Sequence, residues 1–135
     1  ADILTDQIKK WGKDEDFIGH IGGDDFILVS TPRRAEKICH EVVMDFDNRI
    51  NTFYNEKDRR TGYIIGKDRQ GVERQFPLIT ITIAIVSDDG SRFRNPLDMA
   101  KKAAELKEHA KAFPGSNCMK EEDLDKLEPV GQANQ

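Results

Sequence analysis

The sequence predicts an α+β domain, a mixed α/β sandwich with helices packed on the faces of a sheet. Three observations predict it. Phe76–Val86 alternates strictly, with Ile79, Ile81, Ile83 and Ile85 on one face and Thr80, Thr82, Ala84 and Val86 on the other. The stretch from Pro32 to about Phe53 repeats apolar residues at helical spacing: Ala35, Ile38, Cys39, Val42, Val43, Phe46, Ile50 and Phe53. The periods follow one another as helix, two strands, helix, two strands, helix, an order that layers helices on a sheet.

Residues 3–11 place Ile3, Leu4, Ile8 and Trp11 on one helical face, and the sequence opens inside this pattern with no cap before it. Gly12–Asp16 is a polar connection. Phe17–Ile21 and Phe26–Ser30 read as short strands joined by Gly22-Gly23-Asp24-Asp25, a hairpin signal. Thr31 and Pro32 then start the long helix as N-cap and first helical residue.

Asn55–Thr61 is so charged that it reads as a loop, and Gly62–Ile65 as a strand. Asp68-Arg69-Gln70-Gly71 has turn chemistry. With Val72–Gln75 the segment forms an extended, solvated hairpin inserted before the main strand. Its basic residues (Lys57, Arg59, Arg60, Lys67, Arg69 and Arg74) are offset by Glu56, Asp58, Asp68 and Glu73. Pro77 belongs near the start of the main strand or at an unpaired edge. Ser87-Asp88-Asp89-Gly90 is a turn. Asn95-Pro96 opens a last helix whose inner face is Leu97, Ala100, Ala103, Ala104, Ala110 and Phe113, and Pro114-Gly115 ends it. Residues 1–119 form the domain, and 120–135 read as a polar, partly disordered tail.

Length and composition restrict the function classes. At 135 residues the chain is one domain, able to bury about two-thirds of its unfolded surface. Charged residues make up 34% and the net charge is −4, which argues against a protein that tracks a nucleic-acid backbone. Phe and Tyr are too sparse for an RNA-stacking sheet. No apolar run approaches the roughly 20 residues of a membrane helix, and no leader is visible. Cys39 and Cys118 lack metal or redox spacing and read as reduced, isolated thiols of a cytoplasmic protein.

The chemistry concentrates at the first hairpin. His20-Ile21-Gly22-Gly23-Asp24-Asp25-Phe26 places adjacent carboxylates beside a backbone without side-chain bulk, a combination that suits a divalent metal and a polyphosphate. The run resembles the Arg-x-Gly-Gly-Asp/Glu-Glu-Phe signature of the GGDEF family, bacterial domains that make cyclic di-GMP from GTP. Thr80-Ile81-Thr82-Ile83-Ala84-Ile85 resembles a later strand of the same family. Leu97-Asp98-Met99-Ala100 resembles the start of its last helix, and the three matches occur in family order.

The resemblance implies a GGDEF, nucleotidyl-cyclase-like sheet flanked by helices. The chain then corresponds to the last two-thirds of the family domain, with the first strand and its metal-binding aspartate absent. The Asn and Asp that read the guanine base in the family lie in the same absent part. Exposed apolar sheet surface or an open edge would follow, and with it dimerisation or strand exchange. By resemblance Asp24 is the metal-side carboxylate for Mg²⁺ or Mn²⁺, and Asp25 takes the catalytic place usually held by Glu. Gly22 and Gly23 are the glycines beside the nucleotide. Lys13 and Asp16 stand where many members carry an Arg-x-x-Asp inhibitory site for cyclic di-GMP.

The departures from the family pattern are equally specific. Asp25 is shorter than Glu by one methylene, and a misplacement of about 1 Å can cost ~10²-fold in rate. His20 replaces the frequent Arg. Lys13 lacks the planar fork of Arg. Glu105 stands at the phosphate-binding lysine position of the last helix, with Lys101, Lys102 and Lys107 expected on other faces. Two function classes follow. One is a diguanylate cyclase domain, weak or inactive in this sequence, acting on GTP as a homodimer under regulatory domains of a cytoplasmic parent protein. The other is a degenerate GGDEF module that senses a nucleotide or binds a protein partner.

Overall fold

The computed structural model describes residues 2–124. It is an α+β arrangement in the order α1 (Asp2–Trp11), β1 (Phe17–Gly22), β2 (Asp25–Val29), α2 (Pro32–Asn51), α3 (Glu56–Thr61), β3 (Tyr63–Lys67), β4 (Glu73–Pro77), β5 (Thr82–Ile85), α4 (Pro96–Lys111) and β6 (Asn117–Lys120). The strands pair as the antiparallel hairpins β1–β2 and β3–β4 and the parallel pair β5–β6. The expected single sheet is thus three two-stranded units among the described residues.

The core lies where α2 and α4 meet the parallel pair. Ile38, Cys39 and Val42 of α2 are buried, as are Leu106 and Ala110 of α4 and Met119 of β6. Ala84, Val86 and Leu124 pack against the Leu106–Ala110–Met119 cluster. The buried stripe of α4 includes Leu106, absent from the expected inner face, while Leu97, Ala100 and Ala104 are exposed. α1 docks on α2 through polar contacts: Gln7 Nε2 donates to Asp45 Oδ2 at 2.9 Å, and Arg49 spans Asp6 and Asp45 at 2.7 and 2.8 Å.

Three local expectations change. Asn55–Thr61 is not a loop: Glu56–Thr61 is a helix, with the Asn55 side chain accepting from Asp58 N at its start and Gly62 at φ +80° closing it. These are regular helix stop and start signals, and the segment's charge simply leaves it exposed. Phe76–Val86 is not one strand. Pro77 has no N–H to extend the ladder, and β4 stops there. Beyond it, Ile79 N donates to Tyr54 Oη at 3.2 Å and Ile81 N to Ser116 Oγ at 3.0 Å, so side chains replace ladder partners until β5 begins. The tail expected from Lys120 begins inside ordered structure. Lys120 closes β6, residues 121–124 are helical, and Arg92 grips Glu121 at 2.8 and 2.9 Å. The remainder of that expected tail, 125–135, lies outside the described residues.

The Asp68–Gly71 turn forms as expected, with Gly71 N donating to Asp68 O at 3.0 Å. Asn95 caps α4 by accepting from Asp98 N at 2.9 Å. Thr31 holds the cap position of α2 in extended backbone, but its hydroxyl makes no capping bond. Among the described residues no helix is long and apolar enough to cross a membrane.

Candidate functional site

The β1–β2 hairpin carries the glycine–aspartate turn. Gly22 pairs with Asp25, leaving Gly23-Asp24 as a two-residue loop, and the register shifts between His20 and Gly22. Gly23 has φ +54°, a positive-φ turn position that favours glycine. A Cβ built on Gly22 or Gly23 meets nothing within 4 Å. The glycines therefore serve the backbone path, and the face above them stands open.

His20 holds this turn in shape. Its Nε2 lies 2.8 Å from Gly23 O, and its ring stacks on Phe26 with centroids 4.5 Å apart and planes 11° from parallel. The two residues are cross-strand partners, so one aromatic pair both pins the register and closes the loop.

Lys107 reaches the turn from α4. Its Nζ donates to Asp25 Oδ1 at 2.8 Å, joining residues at opposite ends of the chain. The ammonium holds the Asp25 carboxyl below the ordinary carboxylate value, first by that hydrogen bond and then by its charge, with Lys111 adding a smaller Coulombic pull. Lys107 does lie on another face of α4 from Glu105, and it is that face which meets the turn. Lys107 falls between Ala103 and the buried Ala110, at the flank of the packing stripe. Glu105, two residues earlier, is exposed and lies 3.9 Å from Lys102. The carboxylate expected to repel phosphate is not the α4 side chain at the turn; a lysine is.

Asp24 is exposed at the tip of the loop, next to Asp25. Mg²⁺ takes one or two carboxylates and completes its octahedron with water and substrate phosphate. Two adjacent carboxylates fit a metal that arrives with a polyphosphate. They do not make a protein-only cage, and among the described residues no three His, Cys, Asp or Glu side chains converge as metal ligands.

Lys13 and Asp16 are placed otherwise. The Asp16 side chain is 1% exposed and faces Arg34 of α2, with contacts of 3.0 Å to one oxygen and 3.3 Å to the other. It also accepts from the Lys13 backbone N at 2.8 Å. The Arg34 guanidinium lowers its carboxyl to about 2, against the opposing effect of burial. The Lys13 side chain is exposed, while Asp16 spends its oxygens joining the α1–β1 connection to α2.

The residues that sequence reading missed are therefore Arg34, which engages Asp16, and Lys111, four residues beyond Lys107. The i, i+4 spacing of Lys107 and Lys111 put both on one helix face. Only the distance from residue 25 to residue 107 hid the partnership. Compared with known proteins, the chain matches no family model, no curated protein and no solved structure.

Proposed function

We propose that this chain is a GGDEF-type domain of cyclic di-GMP signalling that binds the phosphate end of GTP at the glycine–aspartate turn. The observation that carries this reading is the Lys107–Asp25 pair beside an open glycine loop. Lys107 supplies a positive charge for phosphate oxygens, and Lys111 extends the positive field along α4. Gly22 and Gly23 let the ligand approach the backbone. Asp24 and Asp25 are the residues that would hold Mg²⁺ or Mn²⁺. When bound, that metal supplies charge neutralisation and polarisation of the phosphate.

Asp25 has a further task that depends on Lys107. In the free protein the ammonium pairs with Asp25 and orients it. When phosphate draws Lys107 away, Asp25 is released as a carboxylate beside the reacting end of the nucleotide. The short Asp arm leaves that carboxylate about one methylene back from the family's Glu, which favours weak turnover over efficient cyclisation.

A second reading has its own observation. Ile21, Phe17 and Val29 on the hairpin are 72%, 57% and 53% exposed, an apolar surface suited to a protein-interaction module. Titration calorimetry with GTP and Mg²⁺, with chromatography of the products, separates the two. The nucleotide reading expects saturable GTP binding that weakens in Lys107→Ala, with little or no cyclic di-GMP formed. Absence of GTP binding in the wild-type chain overturns it and leaves the interaction reading.

A further inference from the structure

Cys39 and Cys118 are the two cysteines of the chain, widely separated in sequence. Two polar clamps set α2 beside the strand that holds Cys118. At one end Lys120 Nζ meets Glu36 Oε1 at 3.1 Å; at the other Ser116 Oγ donates to Asp47 Oδ1 at 2.6 Å. Residues 116, 118 and 120 share one face of extended chain. Glu36, Cys39, His40, Val43 and Asp47 share one face of a helix. From Ser116 to Lys120 the strand covers about 13 Å, and from Glu36 to Asp47 the helix covers about 16 Å. Cys118 therefore falls opposite the middle turns of α2.

The contacts agree with that register. The two thiols influence one another: the neighbouring Cys118 pushes the Cys39 thiol up, and Cys39 pulls the Cys118 thiol down. Cys118 and His40 line one cavity of about 230 Å³ with Glu36, Lys120 and Asp123. Cys39 does not line it and is buried, only 6% exposed.

We infer that Cys39 and Cys118 are a redox-responsive dithiol that closes to a disulfide, tying α2 to β6, when hydrogen peroxide enters this cavity. Cys118 is the attacking sulfur. Its neighbour Cys39 favours the thiolate; desolvation, Asp123 and Glu36 oppose, and Lys120 assists. The Cys118 thiolate attacks one peroxide oxygen and the O–O bond breaks. The departing hydroxide takes a proton to become water, and Cys118 becomes a sulfenic acid. Cys39 then loses its proton and attacks the Cys118 sulfur. The hydroxide expelled there takes that proton and leaves as a second water. In sum two thiols lose two electrons and two protons, and one peroxide becomes two waters. Burial protects Cys39 from direct attack, so it acts as the resolving thiol.

The test is hydrogen peroxide treatment of the full chain, alkylation of the remaining thiols, and peptide mapping without reduction. The expected result is joint loss of both alkylatable thiols and a Cys39–Cys118 linked peptide that dithiothreitol dissolves. Unreacted thiols, Cys118 sulfinic acid beside an alkylatable Cys39, or disulfides only between chains would each overturn the inference. Cys39→Ser supplies a second readout. It should accumulate a Cys118 sulfenic acid trappable by a dimedone probe, which the wild-type chain converts onward. Equal trapping in both overturns the pairing. Should Cys39→Ser fail to fold, the wild-type map decides alone.

Discussion

Lys107 Nζ sits 2.8 Å from Asp25 Oδ1, so α4 and the first hairpin meet through one charge pair at the mouth of the glycine turn. This contact changes the meaning of the turn. Two neighbouring carboxylates alone repel a polyphosphate; Lys107 offsets one of those charges, which the proposed phosphate binding needs.

Lys107→Ala should therefore have two linked effects. The Asp25 carboxyl, now held low mainly by the Lys107 hydrogen bond, should titrate higher, back toward 3.8. Carboxyl-carbon NMR across an acid titration reads this directly. On the proposed function, GTP affinity should fall about tenfold or more, the scale of one lost hydrogen bond to a charged group. An unchanged Asp25 titration would separate the lysine from the turn.

Gly23→Ala should strain the hairpin. Gly23 sits at φ +54° with open space around it, so the cost is backbone conformation rather than collision. Placing an L-residue with a Cβ there costs about 1–2 kcal/mol. Urea unfolding should show that loss, and Gly23→Asn should lose less, since Asn tolerates the left-handed region. Equal losses would point to some cause other than backbone strain.

Much of this architecture can be read from local signals, and the misreadings share one physical origin. The hairpin turn, the Asp68–Gly71 turn and the Asn95 cap depend on residues within a few positions of one another, and all are legible. The α3 helix has its cap signals too, Asn55 and Gly62, but no apolar stripe, because it buries nothing. β6 is four residues long, Asn117–Lys120, and exists through parallel pairing with β5; nothing local announces it. The Lys107–Asp25, Arg34–Asp16 and Cys39–Cys118 partnerships are tertiary, so spacing along the chain is silent about them. The break between β4 and β5 is half visible in the sequence: Pro77 marks it, but the isoleucine alternation runs straight through it.

Core truncation should localise stability to the α4–β6 layer. Leu106 is 1% exposed and packs with Ala110 and Met119. Leu106→Ala should cost about 2–5 kcal/mol by lost transfer energy and a residual cavity. Leu97→Ala, at a position 62% exposed, should change little. Chemical denaturation of both variants checks the contrast. Similar losses would mean that α4 packs through the Leu97–Ala100–Ala104 face instead.

Asp16 sets the response to acid. The folded chain holds this carboxyl at about 2 against an ordinary 3.8, chiefly through Arg34. A carboxyl lowered on folding binds its proton more weakly in the folded chain than in the unfolded one. The stability it contributes is complete above the unfolded value, shrinks as pH falls below 3.8, and is gone once pH passes through about 2. Arg34→Ala removes the main cause of the lowering, so its cost should be largest near neutral pH and fade toward pH 2. Asp16→Asn removes the titrating group altogether and should flatten the same window. Denaturant midpoints measured across that range for wild type and both variants test the assignment. If the wild-type slope survives in Asp16→Asn, another carboxylate carries the acid sensitivity and the Arg34 contact is only geometric.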